Sequence, residues 1–121
     1  MSLFGSRGKK TVFALFDSGA SKSLIRRDLA RDLGPLVELP EPERFEMVRG
    51  RFIVRDGCVA SVGLGRAKPA HLFRAVERLS EDLIVGADFL QQWDVRLEPR
   101  RKKIVLDPRA LRLKAVGHRP Q

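Results

Sequence analysis

Two short segments of the 121-residue chain carry residue types on which bond-breaking chemistry could be built. The first, Ala14-Leu15-Phe16-Asp17-Ser18-Gly19-Ala20-Ser21, is an apolar run that ends in a carboxylate on a tight loop. The second, Ile84-Val85-Gly86-Ala87-Asp88-Phe89-Leu90, begins 67 residues beyond Asp17 and is again an apolar run, ending in glycine. A carboxylate on such a loop can move protons. Two carboxyl groups a few ångströms apart cannot both ionise cheaply, and therefore share one proton. The ionised member takes a proton from a water held between them, and the protonated member donates to the oxyanion that develops on an attacked carbonyl. Such a pair can hydrolyse an amide with no covalent intermediate, no cofactor and no metal.

The chain supplies only one aspartate in an apolar-Asp-Ser-Gly setting. Asp56-Gly57 follows Arg55 and reads as a hairpin turn. A fused two-lobed enzyme would need about double the length of an ordinary small domain. The economical arrangement is a homodimer in which Asp17 of each protomer meets its mate on the two-fold axis. Other chemistries find less support. His71 and His118 are the only histidines, and no Gly-x-Ser-x-Gly accompanies them. Gly63-Leu64-Gly65 is followed by Lys68 where a nucleotide loop would carry its third glycine. With Cys58 alone, neither an intramolecular disulfide nor a cysteine-based zinc site is expected. Asp88 reads as a structural acid near a helix start, and Phe89 and Trp93 as core beneath the second segment.

Taken in order, with a glycine-tipped hairpin between them, the two segments resemble the retropepsin family of aspartic proteases, including its bacterial relatives and the protease domains of retroelements. That family is marked by apolar-apolar-Asp-Ser/Thr-Gly-Ala-Ser and, later, by apolar-apolar-Gly-x-Asp-x-Leu. The likeness runs from about Val12 to Leu106. It implies an aspartic endopeptidase that acts on peptide or protein substrates as a homodimer. Asp17 would be the acid/base, and Ser18 would bond across the axis to the partner loop. Gly19 would give the loop a conformation closed to residues with a Cβ and bring a peptide N–H near the carboxylates. Ala20 would stand among the substrate contacts, Ile84 and Val85 would wall the pocket, and Gly86 would pass beneath the active loop. The hairpin around Met47, Val48, Arg49, Gly50 and Arg51 would be a flap that excludes water and offers backbone donors to an extended peptide. Ser21 and Lys22 stand where viral members often have acids, and Ala87 where some have a bracing arginine. Arg49 and Arg51 raise the expectation of acidic side chains in the substrate. The alternative, from another class, is a non-catalytic barrel of the same fold that binds peptides or only dimerises.

These residues need a scaffold, and the pattern around them is mainly β. Gly5 and Gly8 suggest a hairpin whose first strand lies near Leu3 and Phe4. Val12-Phe13-Ala14-Leu15-Phe16 reads as a buried strand. Ile25, Leu29 and Leu33, at i, i+4 and i+8, predict a helix capped by Ser21 or Ser23 and ended by Gly34-Pro35. Pro40-Glu41-Pro42 reads as an extended connector. Residues 45–48 and 51–55 would be strands meeting at Gly50, with further strands at 58–62, 72–76 and 82–85. A short helix is predicted over 87–93, a hairpin joins 95–98 to 103–106, and a strand at 111–116 could serve a dimer interface. The expectation is an all-β, small closed or partly open barrel with one or two short helices and a flap hairpin. Residues 1–107 would form the domain and 108–121 a basic tail.

Charge is uneven. From Arg100 onward eight lysines and arginines face one acid, Asp107, so +7 of the net +9 falls there. Nucleic-acid binding is expected only through that segment, whose simpler reading is a solvated end. The start lacks a secretory apolar segment, and no apolar run approaches the roughly 18 residues a span requires, so a cytoplasmic location is expected.

Overall fold

A central strand needs hydrogen-bonding partners on both edges and apolar side chains on the faces it buries. The computed structural model describes residues 1–47, 50–98 and 103–105. The chain opens with a hairpin of β1 (Ser2–Gly5) and β2 (Gly8–Thr11), turning at Gly8, whose φ of +143° favours glycine. There follow β3 (Ala14–Phe16), β4 (Leu24–Arg26), helix α1 (Arg27–Leu33) and the long strands β5 (Val37–Met47) and β6 (Gly50–Val62). The remainder comprises β7 (Ala70–Val76), β8 (Leu83–Val85), helix α2 (Ala87–Gln92), and a hairpin of β9 (Arg96–Glu98) with β10 (Lys103–Val105). The main sheet runs β2-β1-β6-β7-β4-β8-β3, with β5 paired to β6 off that path. The fold is the mainly-β one expected, and of the two forms considered the sheet takes the open one.

Burial divides into two clusters. The main core gathers Leu3, Ile25, Leu33, Phe73, Leu83, Val85 and Phe89, each 0% exposed, with Cys58 and Trp93. The Cys58 thiol points at the Ala30 carbonyl, and burial pushes its pKa up. A second cluster of Leu24, Leu39, Val54, Val76, Leu79 and Ile84 packs against Phe45 and Phe52 of the β5–β6 hairpin.

Several local expectations give way to tertiary pairing. Residues 24–26 are not the first turn of a helix: they form β4, hydrogen-bonded between β7 and β8. Ile25 belongs to that strand, and its fit to the helical spacing is a coincidence of apolar residues needed on a strand buried on both sides. Helix α1 starts at Arg27 with no side-chain cap, and ends as expected at Gly34, whose N–H donates to the Ala30 carbonyl. The apolar run 12–16 is broken after β2. Val12 is buried, but Phe13, between the two strands, is 89% exposed, and within β3 Leu15 is 47% exposed, on the face opposite its neighbours Ala14 and Phe16. Pro40, Glu41 and Pro42 lie inside β5, within the register irregularity between Glu38 and Glu43, where missing N–H groups are tolerated.

Asp56-Gly57 is not a turn either. β6 runs straight through it, and Gly57 pairs with Val37 on one side and Arg74 on the other. Its glycine is needed for space: a Cβ there would meet Leu72 Cδ1 at 2.7 Å and the Phe73 carbonyl oxygen at 3.1 Å. Gly57→Ala is therefore expected to destabilise the protein by about 1–3 kcal/mol through overpacking, read as a lower urea midpoint. An unchanged midpoint would fit a solvent-exposed turn instead.

Candidate active site

β8 lies between β3 and β4, parallel to β3 (Phe16↔Val85) and antiparallel to β4 (Leu24↔Ile84). To leave β3 and return as β4, the chain must cross the C-terminal end of β8, and residues 17–23 make that crossing. Asp17 extends the β3–β8 ladder, donating its N–H to the Val85 carbonyl at 2.9 Å. The Ala20 N–H folds back on the Asp17 carbonyl at 3.1 Å, and Ala20 in turn accepts the Ala87 N–H at 2.7 Å. Gly86 lies directly against the underside of the loop, where a Cβ would meet the carbonyl oxygens of Lys22 at 2.5 Å and Ala20 at 2.7 Å.

The Asp17 side chain is exposed, as are Ser18 and Gly19. The Gly19 N–H donates to Asp17 Oδ1 at 2.9 Å, which fixes the carboxylate against its own loop. Gly19 does not, however, adopt the positive-φ backbone expected of it; Gly8, Gly50 and Gly65 do. Its contribution here is the donated N–H and the bare approach to the carboxylate, to which a Cβ would come within 3.2 Å.

Beneath the loop sits a polar network that sequence reasoning did not assemble. Ser23, 0% exposed, accepts the Gly86 N–H at 2.9 Å on its Oγ and donates that hydroxyl to Asp88 Oδ1 at 2.7 Å. The Ser23 N–H reaches Asp88 Oδ2 at 3.2 Å, and His71 Nε2 lies 2.9 Å from the same oxygen. The His71 ring is held edge-on between Phe73 and Phe89, 5.2 Å from each centroid. Burial raises the Asp88 pKa, but hydrogen bonds from His71 and Ser23 outweigh it and hold the carboxyl well below the usual carboxylate range. Asp88 is thus the structural acid expected, though its partners are distant residues more than the start of α2. Ser23 was expected only as a helix cap, and nothing local marked His71 as its neighbour across Asp88.

The other expected site residues are dispersed. Ile84 is in the second cluster, facing Leu24, Phe45 and Phe52. Val85 is fully buried in the main core and gives the site its carbonyl, so its side chain does not wall an open pocket in this protomer. The hairpin exists, with Met47 opposite Gly50 and φ +138° at Gly50. Val48 and Arg49 lie outside the described residues, as do the expected strand at 111–116 and the basic tail. Arg51 is 3.4 Å from Glu46 on an exposed surface, so one of the two flap cations already faces an acid. Among the described residues no group of three or more His, Cys, Asp or Glu could hold a metal ion, and no helix is long and apolar enough to cross a membrane.

An open, mainly-β domain with an Asp-Ser-Gly loop crossing a strand that ends in Gly-x-Asp has the form of the retropepsin-like proteases. A family model described as aspartyl protease matches residues 4–89, and the chain belongs to that family. Among solved structures it is similar to the retroviral protease-like domain of Ddi1 from Leishmania major. The TM-score is 0.61 at 21% identity, covering 88% of this chain and 81% of that one, which is a likeness of fold. Comparison with curated proteins gives no match.

The brace predicts a pH signature. Because the folded Asp88 carboxyl titrates below its unfolded value, its stabilisation is complete above about pH 4 and drains away as the pH falls below that. Asp88→Asn should cost about 1–3 kcal/mol at neutral pH. The gap between wild type and variant in urea denaturation should narrow in acid; a gap constant with pH would show that the charge is not what holds Ser23.

Proposed function

We propose that the protein is an aspartic endopeptidase that hydrolyses peptide bonds through a water activated by Asp17 and its symmetry mate in a homodimer. The observation that carries this reading is the asymmetry of the loop at 17–23. It is tied to β8 and Gly86 from below, in part through its own Ser23, while Asp17, Ser18 and Gly19 stand exposed. A carboxylate presented this way can meet a second one, and two such groups share the proton the chemistry needs. Ser18 is free to reach a partner loop, and β3 at the end of the sheet leaves Phe13 and Leu15 uncovered. No cofactor is required.

The β5–β6 hairpin is suited to act as the flap, with Met47 and Gly50 paired next to its tip. Between hairpin and loop the surroundings are apolar: Ile84 and Leu24 pack with Phe45 and Phe52, and Ala20 packs partly against them. Apolar side chains beside the scissile bond fit this better than acidic ones, given that Arg51 is matched by Glu46.

A peptide-library screen combined with sedimentation tests the proposal. Wild type should cleave, and Asp17→Asn should lose activity by about 10²–10⁴-fold or more while remaining a dimer. A wild-type dimer that cuts nothing at mildly acid or neutral pH would leave a peptide-binding or dimerisation module of the same fold. Specific activity should also fall on dilution through the dimer dissociation constant, because each site needs two chains. Activity that stays constant down to the lowest measurable concentration contradicts a shared site.

A further inference from the structure

The network beneath the active loop does not end at Asp88. Arg74, on β7, donates from Nε and Nη2 to the two carboxylate oxygens of Glu43 at 2.8 and 3.2 Å. Its Nη1 donates to the Leu72 carbonyl at 3.2 Å and lies 3.8 Å from Asp88 Oδ2. Its main-chain N–H donates to the Ser23 carbonyl at 3.0 Å. Arg74 therefore meets the end of the active loop twice, once through backbone and once through the acid that holds Ser23.

The other end of this chain of contacts is the hairpin. Glu43 stands opposite Val54 at the first regular pair after the irregularity in β5, where the hairpin begins. The Arg74 and Asp88 side chains are only 13% and 14% exposed, so these charges are poorly screened by water. A planar guanidinium gripping a carboxylate by two parallel bonds is geometrically stiff, unlike a single contact to lysine. Hydrogen bonding from Arg74 keeps the Glu43 carboxyl below its usual range against the opposing effect of burial. If Glu43 loses its charge, the carboxylate left beside the guanidinium is Asp88, and the bonds on Ser23 must readjust.

We propose that Arg74 is a positioning residue, a strut that ties the base of the hairpin at 43–54 to the loop carrying Asp17, so that displacement of one is felt by the other. The proposal rests on the reading of hairpin and loop given above, but its test does not depend on cleavage. Hydrogen exchange is followed in the intact protein across residues 17–23 and 43–54, for wild type, Glu43→Gln and Arg74→Met. The control is Asp56→Asn, which breaks the Arg27–Asp56 ion pair, 2.8 Å long and at 32% and 24% exposure.

Glu43→Gln, a change confined to the hairpin strand, should speed exchange of the loop amides by about threefold or more, and Asp56→Asn should not. Where peptide cleavage is measurable, Glu43→Gln should lower kcat/KM by about five- to tenfold, and adding it to Arg74→Met should bring less than about a twofold further loss. Faster exchange restricted to 43–54, or equal loosening of the loop by Asp56→Asn, overturns the strut. If wild type cleaves nothing while the loop still responds to Glu43→Gln, the peptidase reading fails and the strut stands.

Discussion

A loop that crosses the end of a buried strand carries peptide groups into a place that water cannot reach, and each one left unpaired costs about 1–3 kcal/mol. The crossing at 17–23 meets that demand largely through one hydroxyl and one carboxylate. Ser23 accepts from the Gly86 N–H and donates to Asp88, while Asp88 also takes the Ser23 N–H and faces His71. Glycine at 86 makes the arrangement sterically possible, since loop carbonyls occupy the space a Cβ would need. Without the Asp88 charge, Ser23 would keep its bond to the Gly86 N–H but lose the acceptor of its own hydroxyl and N–H.

The same constraint accounts for the layout of the sheet. Because β8 is inserted between β3 and β4, the polar loop is clamped by a strand on each side. β4 in turn lies beside β7, and β7 beside β6, so the loop is connected through hydrogen-bonded strands to the β5–β6 hairpin. β6, with thirteen residues, takes part in both the hairpin and the sheet. Gly57 marks the changeover, where a Cβ would crowd the Leu72 and Leu39 side chains and the Phe73 carbonyl oxygen. One continuous strand thus carries the second cluster at one end and the main core at the other.

Rigidity below the loop contrasts with the bare surface above it. Asp17 is held by the Gly19 N–H and stays exposed, as do Leu15 and Phe13 earlier in the same segment. A carboxylate held in this way is chemically coherent with the membership of this chain in an aspartyl protease family.

Much of this was legible in the residues. The β1–β2 and β9–β10 hairpins, the hairpin ending near Gly50, the start of α2 after Gly86 and the short strands before Asp17 and at Ile84 all follow from local patterns of apolar runs, glycines and turns. Local pattern failed where apolar residues served two masters. Ile25 fitted a helix and became part of a central strand; Asp56-Gly57 fitted a turn and became a strand interior; Leu15 fitted a core and became surface. The brace was beyond reach for a different reason. Ser23 and His71 meet Asp88 across 65 and 17 residues of chain, and no periodicity links positions so far apart. Sequence alone determined which segments could carry the chemistry, because backbone conformation and side-chain type are local properties. Which polar side chains hold those segments in place was decided only when strand pairing brought distant residues into one buried, poorly solvated volume.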